Sequence, residues 1–193
     1  LEIEKSIVSR ILATLESSGH VHRDSISGAY RMTLSFIGMA MRRLDTSNLY
    51  DLCQPVLRRL AELSGELVQI ALVSGKGLTY VAKAESNQQL RMLSLLGQRA
   101  PLHASTAGKV WLAGLPETEA IKLALEAGLF AFSPRTLTTV EELQAELSRV
   151  REHGYALVED EFLPGANGVG VPILDQQDDG KVAPPEDTLQ SVG

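Results

Sequence analysis

From Lys5 to Ser17 apolar residues recur at helical spacing. Ile7, Val8, Ile11, Leu12 and Leu15 share one stripe, and Gly19 is placed to end the helix in the left-handed conformation. The other face carries Ser6, Ser9, Arg10, Ala13 and Ser17, which are small or hydroxyl-bearing residues with one arginine. Two short strand-like pieces, His20 to Arg23 and Ala29 to Met32, flank the turn-rich Asp24-Ser25-Ile26-Ser27-Gly28 and predict a hairpin. Thr33 to Arg43 returns to helical spacing through Leu34, Ile37 and Met41. Leu49 to Leu63 does so through Leu52, Cys53, Val56, Leu57, Leu60 and Leu63, with Pro55 expected to kink that helix or open a new first turn. Cys53 falls on the apolar stripe, so packing is expected of it and no nucleophilic role.

At Leu67 the period changes. Leu67 to Val73 and Leu78 to Glu85 read as strands joined by Ser74-Gly75-Lys76-Gly77, and Leu90 to Leu95 supplies a third. Helical patterns follow: one within PLHASTAGKVWLAGLP, one opened near Pro116 with proline suited to the first helical position, and one opened by Thr139 with Glu142 in capping-box spacing and closed by Gly154. Tyr155 to Val158 and Val169 to Leu174 are strands again. Strands on both sides of a helical insert predict an α+β domain with an antiparallel sheet and flanking helices.

Pro101 to Lys109, PLHASTAGK, is where strands give way to helix. Its small residues, Ala104 to Gly108, leave backbone N–H groups uncovered. At a helix start such groups form an anion cradle, although Ser and Thr there also serve simply as caps. His103 beside this run is open to a structural hydrogen bond or a ligand contact. Glu159-Asp160-Glu161 could supply paired carboxylates, but strand alternation puts only Glu159 and Glu161 on one face, and a solvated strand edge is the expected account of the run.

Composition narrows the class. The chain has 193 residues, 44% apolar and 22% charged, as in a globular protein. No apolar run reaches the ~18 residues of a membrane span, and no signal-peptide core is seen, so a cytoplasmic location is expected. One cysteine rules out an internal disulfide, no Cys/His spacing suits zinc, and no metal or cofactor is implied. Gly108-Lys109 lacks the upstream glycine and following hydroxyl of a phosphate loop, and Gly165, Gly168 and Gly170 lack dinucleotide spacing. Net charge is −6, yet six Lys/Arg stand against four acids up to Arg43, leaving 12 against 20 beyond it. That is the asymmetry expected if only the first part meets a polyanion.

A helix followed directly by a β-hairpin is the order of a winged helix, whose second helix enters the major groove while the hairpin reaches the adjacent backbone. An amphipathic helix beside an unrelated hairpin has the same order. The segment KSIVSRILATLESSGHVHRDSISGAYRMTLSFIGMA resembles the recognition helix, wing and linker of IclR-type bacterial transcriptional regulators. PLHASTAGKVWLAGLP resembles the start of their effector-pocket helix, and VREHGYALVEDEFLPGANGVGVPILD the strand and loop lining that pocket. The matches run in family order over nearly the whole chain.

The resemblance implies a partial winged-helix DNA-binding domain over residues 1–32, a linker helix over 33–47 and a GAF-like effector-binding domain over 48–193. It makes Lys5, Ser6, Ser9, Arg10 and Arg23 candidate DNA contacts, and Thr106, Ala107, Val158 and Gly168 candidate effector contacts. Glyoxylate- and pyruvate-responsive members carry an acidic residue where Val158 stands and a cysteine where Gly168 stands, so a roomier or less polar pocket for a larger or aromatic acid is expected. The recognition helix begins almost at Leu1, which implies further helices ahead of it, and Asp175 to Gly193 departs from the family pattern. The expected function is a repressor-type regulator, a homodimer or tetramer on double-stranded operator DNA, controlled by a small organic acid. A sensor module that never touches DNA, and an enzyme acting on a small acid through His103 and Glu159, are the alternatives.

Overall fold

In a computed structural model of the chain, residues 4–45, 49–85 and 95–174 are described. The fold is α+β, with every described strand pair antiparallel. The chain divides into two compact units, Leu1–Pro55 and Val56–Gly193.

The first unit begins with α1 (Lys5–Ser17), closed by Gly19 at φ 75°. Strands β1 (Val21–Arg23) and β2 (Tyr30–Met32) follow, with Val21 opposite Met32, His22 opposite Arg31 and Arg23 opposite Tyr30. Asp24 builds the turn: its Oδ1 accepts from the Ile26 N–H (3.0 Å), the Ser27 N–H (2.7 Å) and the Ser27 hydroxyl (2.9 Å). Those hydrogen bonds, the Ser27 N–H foremost, hold the Asp24 carboxyl below the usual carboxylate range. Helix α2 (Leu34–Asp45) begins one residue after Thr33, whose hydroxyl donates to the Gly19 carbonyl at 2.6 Å and so joins the hairpin's end to the end of α1. No residue of α1 is buried; its apolar stripe leaves Ile7 and Ile11 about half exposed.

Helix α3 (Leu49–Ser64) continues through Pro55, which removes one backbone donor without ending the helix. Cys53 is half-buried and its thiol is shifted upward by burial. In the second unit, β3 (Val68–Ser74) and β4 (Gly77–Ala84) form a hairpin, with a register shift between Ile70 and Ala71. The β4 side chains alternate as a half-buried strand requires: Leu78, Tyr80, Ala82 and Ala84 point inward. Most of the third expected strand, Leu90 to Leu95, lies outside the described residues. Residues 97–100 do run along β4, with Ala100 N–H donating to Leu78 O (2.9 Å) and Tyr80 N–H to Gln98 O (3.1 Å).

Three helices follow, α4 (Thr106–Ala113), α5 (Glu117–Ala127) and α6 (Val140–His153), and their buried residues share one core with Leu78 and Tyr80 of β4. Pro116 precedes α5 as its N-cap at ψ 140°, one position earlier than the sequence suggested. At α6 both halves of the capping box are present between Thr139 and Glu142, and Gly154 closes the helix in the left-handed conformation. Strands β5 (Ala156–Glu159) and β6 (Asn167–Gly170) form the last hairpin; β6 starts two residues before the expected Val169 and ends four residues short of Leu174, ahead of Pro172. The core gathers around α4, where Leu112, Leu143 and Leu147 have no exposed surface. Among the described residues no helix is long and apolar enough to cross a membrane.

Candidate functional site

The start of α4 lies against the β5–β6 hairpin. Ser105 is the N-cap: its Oγ accepts from the Gly108 N–H at 3.0 Å and donates to Pro101 O at 2.7 Å. The Lys109 N–H reaches Ser105 O at 3.0 Å, the first intrahelical bond. Capping therefore accounts for Ser105, and helix geometry leaves the N–H groups of Thr106 and Ala107 without an intrahelical acceptor. Both residues are half-buried, while Leu102 to Ser105 and Gly108 to Ala113 are buried.

Val158 on β5 is buried and pairs in register with Gly168 on β6. A Cβ added at Gly168 would lie 3.4 Å from Thr106 Cγ2, and one at Gly170 only 2.7 Å from Thr106 Cβ. Three of the four candidate effector residues, Thr106, Val158 and Gly168, thus meet in one place, with Ala107 adjoining them in α4. The nearest neighbour of a Cβ at Gly168 is the methyl group of Thr106, at ordinary van der Waals distance.

Beneath this point sits a charge that the sequence did not disclose. Lys109 is fully buried, and its Nζ donates to Glu161 Oε1 at 2.5 Å and to Glu146 Oε1 at 3.3 Å. Arg149 on the next turn of α6 pairs with Glu146 Oε2 at 2.7 Å. Glu161 is buried, not part of a solvated strand edge. β5 stops at Glu159, and Asp160 takes φ 58°, which turns the chain inward. Burial is the larger influence on the Glu161 carboxyl and pushes it above the usual carboxylate range, against the opposing pull of Lys109. The clue in the sequence was Lys109 itself, a lysine inside the otherwise apolar run Gly108 to Ala113, which demands a buried carboxylate somewhere.

His103 is buried and stacks on Phe132 with centroids 5.8 Å apart; its Nε2–H donates to Phe130 O at 2.9 Å. Burial lowers its pKa, and the Lys109 charge adds to that. This is the structural hydrogen bond among the two roles open to it. Glu159 is exposed and pairs with Arg135 at 3.7 Å, so the two groups that an enzymatic reading needs stand in different surroundings. Among the described residues no group of His, Cys, Asp and Glu could hold a metal ion.

In the first unit, Lys5, Ser6, Ser9 and Arg10 are exposed along one face of α1. Arg23 is exposed in β1: its N–H donates to Glu16 Oε1 (3.3 Å), its Nε to Gly28 O (3.4 Å), and its guanidinium lies 5.7 Å from the Tyr30 ring centroid. Arg23 is thereby held against its own hairpin and tied by its backbone to α1.

A family model described as bacterial transcriptional regulator IclR C-terminal matches residues 41–183. The HTH-type transcriptional repressor AllR of Escherichia coli K12 is 33% identical over 175 residues, covering 91% of this chain and 65% of that protein. This chain thus spans a little under two thirds of the length of the curated relatives it matches. Among solved structures, an IclR transcriptional regulator from Silicibacter sp. TM1040 superposes with a TM-score of 0.80 at 25% identity, covering 89% of this chain and 67% of that one. The inducer-binding domain of the PobR transcription factor from Acinetobacter, a double mutant in complex with 3-hydroxybenzoic acid, superposes with a TM-score of 0.60 at 28% identity, covering 67% of this chain and 76% of that one. With the family model spanning well over half of the sequence, the chain belongs to the IclR family of bacterial transcriptional regulators, by way of their C-terminal domain.

Proposed function

We propose that this chain belongs to a cytoplasmic transcriptional repressor whose hold on double-stranded operator DNA is controlled by a small organic acid. The observation that carries the reading is the meeting of the α4 start with the β5–β6 hairpin. Helix geometry leaves the N–H groups of Thr106 and Ala107 free of intrahelical acceptors, and the Thr106 side chain meets the β5–β6 hairpin where buried Val158 pairs with side-chain-free Gly168. Exposed N–H groups at the positive end of a helix suit a carboxylate. An apolar wall suits an aromatic or aliphatic body rather than a second charge. The likeness to a domain that holds 3-hydroxybenzoic acid makes hydroxybenzoates the first acids to try.

On the DNA side, Lys5, Ser6, Ser9 and Arg10 would meet phosphates or base edges from α1, with Arg23 on the adjacent phosphate backbone. Residues 1–32 would form part of a winged helix, 33–47 the linker and 48–193 the effector domain, paired as a homodimer or tetramer so that two reading heads span two half-sites. Effector binding would act through a change in the spacing of those heads.

The test is a gel-shift titration of the full-length protein on its own upstream DNA, with and without 3-hydroxybenzoate and a panel of short-chain organic acids. Replacing Arg10 and Arg23 with alanine should weaken retardation at least tenfold. Absence of retardation at low salt would reject the regulator reading, and retardation indifferent to every acid would reject its control by an effector.

A further inference from the structure

We infer that the buried pair Lys109–Glu161 is the positioning device of the effector site: it fixes the β5–β6 connection against the start of α4 without touching the ligand. The inference rests on the effector reading above.

Each end of the pair sits beside a candidate contact. Lys109 is the fourth residue of α4, one turn from Thr106, so its backbone moves with the N–H groups offered to the carboxylate. Glu161 lies in the connection between Val158 and Gly168, and it is anchored twice. Its carboxylate meets Lys109 Nζ at 2.5 Å, and its carbonyl accepts from the buried Thr136 hydroxyl at 2.5 Å. The rest of the connection closes on itself. Asp160 Oδ1 accepts from the Gly165 N–H at 2.6 Å, and the Asp160 N–H donates to Ala166 O at 3.2 Å. A self-closed loop held at Glu161 moves as one piece, so the attachment at Glu161 places the hairpin together with the seat of Gly170 on Thr106.

The pair is a poor choice for stability alone. Two charges lose their hydration, and Glu161 Oε2 is buried with no hydrogen-bond partner among the described residues. Apolar residues of similar volume would remove both desolvated charges of the pair; Glu146 would lose Lys109 at Oε1 and keep Arg149 at Oε2. An ion pair does what a methionine pair cannot: its directional bonds specify one separation between two elements.

The experiment compares the full chain with the double variant K109M/E161M by amide hydrogen exchange, thermal melting and titration with 3-hydroxybenzoate. The expected result is at least tenfold faster exchange confined to residues 158–170, unchanged exchange in α5 and α6, and a melting temperature that is unchanged or raised. A role in stability alone predicts a lowered melting temperature with faster exchange everywhere, and that outcome, or unaltered exchange over 158–170, overturns the inference. If the double variant does not fold, Glu161→Gln, which keeps the volume and an acceptor for Lys109, is judged by the same exchange pattern with an expected threefold change. Affinity for 3-hydroxybenzoate should fall at least tenfold in the double variant, and an unaltered affinity overturns the link to the site. Should the unaltered chain not bind 3-hydroxybenzoate, that tells against the hydroxybenzoate reading alone, and the exchange pattern decides the role of the pair.

Discussion

Gly170 and Thr106 stand so close that a Cβ on the glycine would lie 2.7 Å from the threonine Cβ and 3.0 Å from its Oγ1. No rotamer of Thr106 relieves the first of these contacts, because both carbons are fixed by backbone. Gly170→Ala must therefore move β6 off the α4 start, at a cost of about 1–3 kcal/mol, the usual range for overpacking. Gly168→Ala differs: its Cβ would sit 3.4 Å from a methyl group that can rotate away. It should cost less than about 0.5 kcal/mol, as substitutions with no named mechanism of damage do. Urea melts of the two variants check the contrast, and equal midpoints would show that the hairpin does not rest on Thr106.

Gly108 reverses a general rule. Alanine in place of glycine inside a helix normally stabilises by ~1 kcal/mol. Here the added Cβ would lie 2.4 Å from Leu102 O and 2.5 Å from Leu102 Cα, both backbone atoms of the segment leading into the helix. Gly108→Ala is expected to destabilise by ~3 kcal/mol or to abolish folding, the upper end of overpacking costs. A thermal melt that rises would show the approach of Leu102 to α4 to be looser than 2.4 Å implies.

These two glycines mark the limit of what the sequence discloses. Local signals were legible because their physics is local: the Thr139–Glu142 capping box, Gly154 at the helix end and the Ser74 to Gly77 turn follow from neighbours within four residues, and the α+β order from the succession of such elements. Glu161 was not legible as a buried ion. Alternation along a strand predicts its direction only while the strand continues, and the strand ends at Glu159. Lys109 and Glu161 are 52 residues apart, and no periodicity links positions at that separation. The α1 stripe shows the opposite limit. It was legible as a helix, yet its apolar face is not covered in the described residues, so the pattern predicted the element and not its burial.

Arg10 offers a measure of which part of the duplex α1 would meet. Arg10 stands exposed on α1 with no ion pair among the described residues, so if it meets a phosphate, its replacement by alanine removes one counterion-releasing contact. The slope of log affinity against log salt should then become shallower by about 0.9. The loss should be similar on specific and unrelated duplexes, because phosphates carry no sequence. Fluorescence anisotropy at four or more salt concentrations measures the slope, and an unchanged slope would move Arg10 off the phosphate backbone.

His103 gives the second unit a pH dependence whose sign can be worked out. Its imidazole is buried, its Nε2–H is committed to Phe130 O, and its Nδ1 has no partner among the described residues, so burial above all holds the pKa below the ordinary histidine value. The folded form then binds fewer protons than the unfolded chain once the pH nears ~6.5, and stability falls on acidification until the folded-state pKa is passed. One proton limits the slope to ~1.4 kcal/mol per pH unit. The carboxyls of Glu126 and Glu142, held low chiefly by hydrogen bonds from Lys76 and Thr139, and that of Asp24 lose their contributions only below the ordinary carboxylate range, outside this window. Glu161, held high by burial, works in the other direction, since its protonation favours the folded state as the pH falls. The two groups oppose each other in the wild-type curve, so the variant is needed to separate them. His103→Gln retains a donor for Phe130 O and cannot take up a proton. Its urea midpoint should lie below wild type at pH 7.5 and decline less steeply down to pH 5.5, with parallel curves ruling out His103 as the group responsible.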